Sequence, residues 1–185
     1  NINFIFDELI KNKNTISSKY VLMTYYNILS AYGEKLFLDK CDEAGVYGLI
    51  IPDLPCELTK KFKKEFYHHS VKIISLIAMT ASDARIMQIA KNSEGFIYTV
   101  TMNATTGNSG EFHPDLKRKI EYIKKVSKIP VVAGFGIKNP EHVKDIASVA
   151  DGIVIGSEIV KRIEIDSRKE FITYIKSIRT ALNSF

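Results

Sequence analysis

Short runs of β-branched and other apolar residues alternate along the chain with stretches whose apolar residues recur at helical spacing. Several of the runs are apolar almost without interruption, which is typical of parallel strands buried on both faces of a sheet. The runs predict strands at Val21–Tyr26, Gly48–Pro52, Lys72–Ala78, Gly95–Thr101, Pro130–Gly134 and Asp151–Gly156.

The stretches between these runs predict amphipathic helices. They lie at Asn1–Lys11, Glu34–Ala44, Glu57–His68, Ser82–Asn92, Pro114–Ser127, Pro140–Ser148 and Ser167–Asn183. Ser82 has the side chain of a helix cap, and Asn139-Pro140 reads as a cap followed by a proline in the first helical position. Another helical run opens at Gly156-Ser157-Glu158.

The strands recur about every 25 residues, the spacing of βα units. Such units form either a doubly wound sheet or a barrel, and a dinucleotide-binding sheet carries its glycine motif after the first strand. Here Tyr25-Tyr26-Asn27 ends the first strand, and glycine turns follow the last two. The predicted fold is therefore α/β, a (β/α)8 TIM barrel, and phosphate loops late in the chain are typical of it. Residues 1–185 should form a single domain with six of the eight units, strands three to eight, and the two N-terminal units missing.

Composition fits this reading, because 45% of the 185 residues are hydrophobic and 25% are charged. No apolar run approaches the roughly 20 residues of a membrane span, and the N-terminus does not resemble a signal peptide. We therefore expect no membrane association and a cytoplasmic location. Cys41 and Cys56 lack metal-ligand spacing and should be free thiols.

The net charge of +5 raises the possibility of nucleic-acid binding. The densest basic run, Lys60 to Lys64, is interrupted by Phe62 and flanked by Glu57 and Glu65, as on the solvated face of an amphipathic helix. Nucleic acid is therefore not an expected partner. The four histidines show no metal-ligand pattern and are expected at the surface: His68, His69, His113 and His142.

Two glycine turns on consecutive strands predict a phosphate site. Gly134-Phe135-Gly136 ends one strand, and Gly156-Ser157 ends the next and opens a helix. Glycines let backbone N–H groups approach an anion, and a helix N-terminus offers unpaired N–H groups and a positive dipole end. Either turn alone is weak evidence, but two in succession can hold one phosphate.

Three further features have both a functional and a structural interpretation. The polar segment Met102–Gly110 follows a strand and has the composition of a lid loop. Tyr98 either fills the barrel core or lines a ligand pocket. Asp53 ends a strand, where a barrel could use it as a general base, but an aspartate beside a proline turn also commonly holds the loop in place.

Together these residues resemble the tryptophan synthase alpha subunit family, with the same motifs in the same order from about Val21 to the end. The resemblance rests on Asp53-Leu54-Pro55, the Gly95–Thr101 strand with Thr106-Gly107, Gly134-Phe135-Gly136 and Gly156-Ser157-Glu158-Ile159-Val160. It implies a lyase that cleaves indole-3-glycerol phosphate to indole and glyceraldehyde 3-phosphate. The implied phosphate ligands are Gly107, Gly134, Gly136, Gly156 and Ser157. The implied indole contacts are Tyr98, Phe135 and Met23, with Thr106 on the lid.

The resemblance also implies a pyridoxal-phosphate beta subunit as the partner in an alpha2-beta2 heterotetramer, docked near Asn27, Asp53 and Pro55. The alpha chain itself should bind no cofactor and no metal. The family's catalytic Glu and Asp match no residue here, so Asp53 would be a rim residue and these residues alone should be inactive. Ala104 replaces a glycine usual in the lid. Alternatives are another phosphate-binding barrel enzyme, or a non-catalytic subunit that binds and activates a partner enzyme.

Overall fold

The computed structural model of the chain describes residues 1–101, 114–134 and 136–184. Its strands are β1 (Tyr20–Met23), β2 (Val46–Ile50), β3 (Lys72–Ala78), β4 (Ile97–Val100), β5 (Val131–Gly134) and β6 (Gly152–Val154). Its helices are α1 (Ile2–Asn12), α2 (Tyr26–Tyr32), α3 (Glu34–Ala44), α4 (Cys56–Glu65), α5 (Asp83–Ala90), α6 (Leu116–Val126), α7 (Pro140–Ala147), α8 (Ser157–Ile165) and α9 (Arg168–Leu182).

The chain divides into two compact units. The first comprises Asn1–Leu76 and Asn92–Gly95. In it, β2 pairs in parallel with β1 and with β3, so that Ile50 lies opposite both Met23 and Ile74. Apolar side chains of the strands and helices are buried together, and Phe6 meets Phe37 edge to face with ring centroids 5.1 Å apart.

The second unit comprises Ile77–Lys91 and Phe96–Phe185. Here β5 pairs in parallel with β4 and with β6, and Gly134 lies opposite Val100 on one side and Val154 on the other. The core is aliphatic, and the side chains with no exposed surface in it include Ile86, Ile97, Ile120, Ile123, Val131 and Val143. Both units thus have the parallel strands and intervening helices that the sequence predicts.

Helix starts follow the predicted capping signals in several places. The Ser82 side chain accepts a hydrogen bond from the Arg85 N–H at the start of α5, and Asn139 accepts one from the His142 N–H at the start of α7. These side chains satisfy N–H groups that have no partner within the helix. The predicted caps at Ser82 and Asn139 are therefore confirmed.

The prediction of a strand from Val21 to Tyr26 is wrong at its end. β1 stops at Met23, and α2 begins at Tyr26, a helix that the apolar pattern did not indicate. The tyrosines favour a strand by propensity, but a carboxylate from outside the segment determines the local structure. The Asp53 Oδ1 accepts the Tyr26 N–H at 2.9 Å and holds the first turn of the helix.

The surface prediction is wrong for two histidines. The His69 side chain is only 12% exposed, and its Nδ1 lies 2.6 Å from Asp42 Oδ2. His142 is half-buried, with its Nδ1 3.1 Å from the Gly136 carbonyl oxygen. His68 is exposed as expected, whereas His113 lies outside the described residues. Cys41 and Cys56 are both free thiols, as predicted.

Candidate functional site

The two predicted phosphate turns lie side by side at the C-terminal ends of β5 and β6. Gly134 is paired with Val154 where the two strands end, and Gly136 and Gly156 each follow two residues later. Because parallel strands point the same way, the two turns leave the sheet at the same edge. Gly136 has a φ of 77°, a left-handed conformation that glycine adopts without strain.

The start of α8 is open to solvent. Gly156 occupies the N-cap position and, as a glycine, supplies no side-chain cap to this helix. Gly156 and Ser157 are exposed, and a Cβ added at Gly156 would meet no atom within 4 Å. A nine-residue helix that starts from an exposed glycine presents N–H groups and a partial positive charge to an anion.

Contacts from two helices hold the Gly136 turn. The half-buried His142 of α7 contacts the Gly136 carbonyl oxygen, as described above. The Tyr174 hydroxyl of α9 donates a hydrogen bond of 3.0 Å to the Lys138 carbonyl oxygen. The turn is therefore fixed by side chains distant in sequence, which the pattern of glycines could not indicate.

Tyr98 of β4 packs directly against the glycine that ends β5. Tyr98 is 5% exposed, and a Cβ added at Gly134 would lie 2.4 Å from its Cε2 and its Oη. Gly134 is thus required to be a glycine because the Tyr98 ring occupies the space of a side chain. Burial raises the pKa of the Tyr98 hydroxyl, so it remains protonated at neutral pH.

Two buried threonines fix β4 against β5, and sequence reasoning missed both. Thr99 and Thr101 have no exposed surface. The Thr99 hydroxyl donates to the Val132 carbonyl oxygen at 3.0 Å, and the Thr101 hydroxyl donates to the Gly134 carbonyl oxygen at 2.8 Å. Their signal in the sequence was a pair of polar residues at alternate positions in an apolar run.

In the first unit, Asp53 is a structural aspartate of the β2–α4 connection. The N-cap residue of α2, Tyr25, makes no side-chain capping hydrogen bond. The Asp53 carboxylate supplies the cap instead, by accepting the Tyr26 N–H. Asp53 is exposed, and Pro55 is the exposed N-cap residue of α4. Of the two readings of Asp53, the geometry favours the one in which it holds the loop.

The surface around this connection is rich in exposed apolar side chains. Asn27 is exposed on α2, next to Ile28, which is 40% exposed. Met23 at the end of β1 is 52% exposed and Tyr25 is 59% exposed. Large apolar side chains grouped on a surface are typical of a protein interface. We call Met23, Tyr25, Asn27, Ile28, Asp53 and Pro55 the α2 rim.

Three residues of the predicted site lie outside the described residues: Thr106, Gly107 and Phe135. The same is true of the predicted lid, Met102–Gly110, and of Ala104 within it. Across residues 1–101, 114–134 and 136–184, no group of three or more His, Cys, Asp or Glu side chains could hold a metal ion. No helix in that part of the chain is long and apolar enough to cross a membrane.

Comparison with known proteins identifies the family. The family model described as tryptophan synthase alpha chain matches residues 5–183. The chain belongs to the tryptophan synthase alpha chain family. It is 97% identical over 184 residues to an alpha chain of Staphylococcus epidermidis strain ATCC 35984, and 61% identical over 183 residues to one of Staphylococcus aureus strain RF122, spanning 76% of each relative's length.

Solved structures of this family have the same fold. A structure from a study of the a2b2 complex of Pyrococcus furiosus tryptophan synthase matches with a TM-score of 0.84 and 28% identity, over 100% of this chain and 75% of that one. The alpha subunit from Campylobacter jejuni matches with a TM-score of 0.81 and 28% identity, over 95% and 70% of the two chains. The fold is therefore α/β, with six βα units of a TIM barrel.

Membership of this family establishes the class of enzyme to which the chain belongs. The chain is a tryptophan synthase alpha chain by family, a lyase of tryptophan biosynthesis. The structural relative from Pyrococcus furiosus comes from a study of an a2b2 complex. An alpha chain carries no cofactor of its own, because pyridoxal phosphate belongs to the beta subunit. Neither a nucleic-acid partner nor a non-catalytic role gains support from these comparisons.

Proposed function

We propose that the chain takes part in cleavage of indole-3-glycerol phosphate by holding the substrate phosphate between the Gly136 turn and the start of α8. The observation that carries this proposal is the register of β5 and β6, which pairs Gly134 with Val154, two residues before Gly136 and Gly156, at one edge of the sheet. The N–H groups of Gly136, Gly156 and Ser157 are the proposed donors. Backbone donors fixed before the substrate arrives bind an anion without further rearrangement.

A phosphate held at one end of the substrate fixes the position of the other end. In the reaction, a general acid protonates the indole ring at C3, a base removes the proton of the adjacent glycerol hydroxyl, and the carbon–carbon bond between them breaks. Binding energy from the phosphate, which does not react, positions the reacting carbon for this proton transfer. Tyr98 and Phe135 are the proposed indole contacts, and Gly107, Gly134 and Thr106 complete the proposed site.

We assign no proton-transfer role to the residues of this chain. Asp53 already accepts a backbone hydrogen bond at the start of α2, and we propose that it holds that turn and takes no part in proton transfer. Two carboxylates from the family's catalytic set would have to supply acid and base, each worth roughly 10²–10⁴-fold in rate. A polypeptide limited to these 185 residues should therefore bind glycerol phosphate and leave indole-3-glycerol phosphate uncleaved.

The sharpest test of the phosphate site is a charge placed at Ser157. An acidic residue in the first turn of α8 favours the helix through its dipole, so Ser157→Asp should fold with unchanged or slightly raised stability. It should nevertheless raise the dissociation constant of glycerol 3-phosphate by about ten-fold or more, because like charges then face each other. Ser157→Asn, of the same shape without the charge, is the matched control and should bind nearly as the parent does. Equal affinity of the Asp and Asn variants would argue against the site.

We further propose that the α2 rim docks the beta subunit. Exposed apolar side chains and the exposed Pro55 support this surface. Pro55→Asp should preserve α4, since Asp is a favoured N-cap residue, but should place an unpaired charge in the interface and weaken assembly. Tyr67→Asp, beyond the other end of α4, is the control and should assemble normally. Analytical ultracentrifugation with the beta subunit would contradict the proposal if both variants assembled equally well.

The remaining proposals concern organisation and location. The 185 residues are proposed to belong to one barrel domain, which is supported by a match of a single family structure to the whole chain. As an enzyme of amino-acid biosynthesis, the protein is proposed to act in the cytoplasm. Fractionation of cells that express a tagged chain would test this, and recovery with the membrane fraction would count against it.

A further inference from the structure

A row of charged side chains runs the length of α8 and is centred on Arg162. The Arg162 Nε donates to Glu158 Oε1 at 2.8 Å, and its Nη1 donates to Asp166 Oδ2 at 3.1 Å. Each partner is one helical turn away, and the two carboxylate side chains are only 16% and 14% exposed. The guanidinium is therefore held in one position along the helix that begins at the proposed phosphate site.

The same guanidinium lies on the ring of Tyr174 in α9. Its Cζ is 4.0 Å from the ring centroid, well within the range of a cation–π interaction. Tyr174 is 7% exposed, so its ring cannot turn away without disturbing the packing around it. The position of Tyr174 is thus coupled to that of α8.

The hydroxyl of Tyr174 extends this connection to the other phosphate turn. It donates to the carbonyl oxygen of Lys138, two residues after Gly136. A phenylalanine would fill the same space and accept the same stacking by Arg162, so packing alone does not require a hydroxyl. Its hydrogen bond is a direct contact between α9 and the β5–α7 turn.

We propose that Tyr174 is a positioning residue that holds the Gly136 turn and the start of α8 at the spacing needed to share one phosphate. The inference rests on the proposed phosphate site. Donors that follow different strands bind one anion well only if their separation is fixed, and errors of about 1 Å weaken such sites strongly. The path from α8 through Arg162 and Tyr174 to the Lys138 carbonyl fixes that separation from outside the site.

The test is Tyr174→Phe in an alpha chain of the relatives' full length, which includes the family's catalytic carboxylates, assembled with its beta subunit. We expect the dissociation constant of glycerol 3-phosphate, by calorimetry, and the KM for indole-3-glycerol phosphate to rise together by about two- to ten-fold, the range of one hydrogen bond. The kcat should stay within about two-fold, since a contact present in both ground and transition states affects mainly KM. Arg162→Met should act in the same direction, because it removes the guanidinium that holds the ring.

Two controls separate positioning from loss of stability. Ile178→Val removes a buried methyl group from α9, and Ser177→Ala removes a hydroxyl that bonds to the Tyr174 carbonyl oxygen. Both should lower the melting temperature about as much as Tyr174→Phe does, and both should leave phosphate affinity unchanged. Equal affinity of Tyr174→Phe and the parent, or an equal loss in Ile178→Val, would overturn the proposal.

The proposed reaction can fail separately from this inference. A parent complex that binds glycerol 3-phosphate but does not release glyceraldehyde 3-phosphate would refute the reaction, while the affinities would still decide the role of Tyr174. A parent that binds no glycerol 3-phosphate would overturn the positioning role together with the phosphate site.

Discussion

Gly134→Ala is the substitution whose effect follows most directly from the geometry. The added Cβ would lie 2.4 Å from Tyr98 Cε2 and 2.7 Å from Cζ, whereas non-bonded carbon atoms prefer about 3.5–4.0 Å. The ring would have to move by about 1 Å or more. Tyr98 is buried, so it cannot move without displacing its neighbours.

Overpacking of this kind typically costs about 1–3 kcal/mol of unfolding free energy. In a chain of this size class, each kcal/mol lowers the melting temperature by roughly 2–4 °C. Urea denaturation followed by far-ultraviolet circular dichroism would measure the change as a lower midpoint with an unchanged slope. Because the ring is also a proposed indole contact, KM for indole-3-glycerol phosphate should rise in the assembled enzyme.

The neighbouring strand offers a matched control. A Cβ at Gly152 would approach Val132 no closer than 3.4 Å, so Gly152→Ala should cost much less. In a Tyr98→Leu background the Gly134→Ala change should also cost little, which a double-mutant cycle would show as a coupling energy. Equal costs for Gly134→Ala and Gly152→Ala, or the same Gly134→Ala cost with and without the tyrosine ring, would refute the reasoning.

Three further predictions concern the first unit. Asp53→Asn keeps an oxygen that can accept the α2 N–H and should preserve kcat in the assembled enzyme, whereas Asp53→Ala should cost about 0.5–2 kcal/mol of stability; loss of turnover in the Asn variant would restore Asp53 as a catalytic base. The Tyr20 hydroxyl is buried and has no hydrogen-bond partner among the described residues, so Tyr20→Phe should raise the free energy of unfolding by about 1 kcal/mol or more, which a higher urea midpoint would show. Burial raises the pKa of Asp42, but hydrogen bonds from Ser70 and His69 outweigh it and leave the pKa below its usual value. The contribution of Asp42 to the free energy of unfolding is complete above the unfolded pKa of about 3.9 and is lost as the pH falls through the lower folded value. In urea titrations at a series of pH values, Asp42→Asn should therefore make the free energy of unfolding less dependent on pH in this acidic range.

The order of strands and helices could be predicted because each is encoded locally. Continuous apolar runs such as Lys72–Ala78 and capping residues such as Ser82 and Asn139 act over a few residues, and the structure has the elements that they indicate. α2 was missed because its start depends on a hydrogen bond from the Tyr26 N–H to Asp53, 27 residues away. Local propensity carries no information about such a partner.

The candidate site, like the fold, could be predicted from the sequence only in part. Glycine spacing predicted the turns after β5 and β6, since Gly136 and Gly156 are visible in the sequence. It did not indicate that Gly134 makes room for the Tyr98 ring, or that the Tyr174 hydroxyl bonds to the Lys138 carbonyl oxygen across 36 residues. These are properties of packing between distant segments, and they appear only once the chain is folded.

The central claim is that one phosphate is bound by backbone N–H groups at the ends of β5 and β6. A crystal structure of the alpha chain with its beta subunit, grown with glycerol 3-phosphate, tests it most directly. We predict phosphate oxygens within about 2.7–3.2 Å of the backbone nitrogens of Gly136, Gly156 and Ser157. A phosphate bound elsewhere, with those three N–H groups hydrogen-bonded within the protein, would contradict the claim.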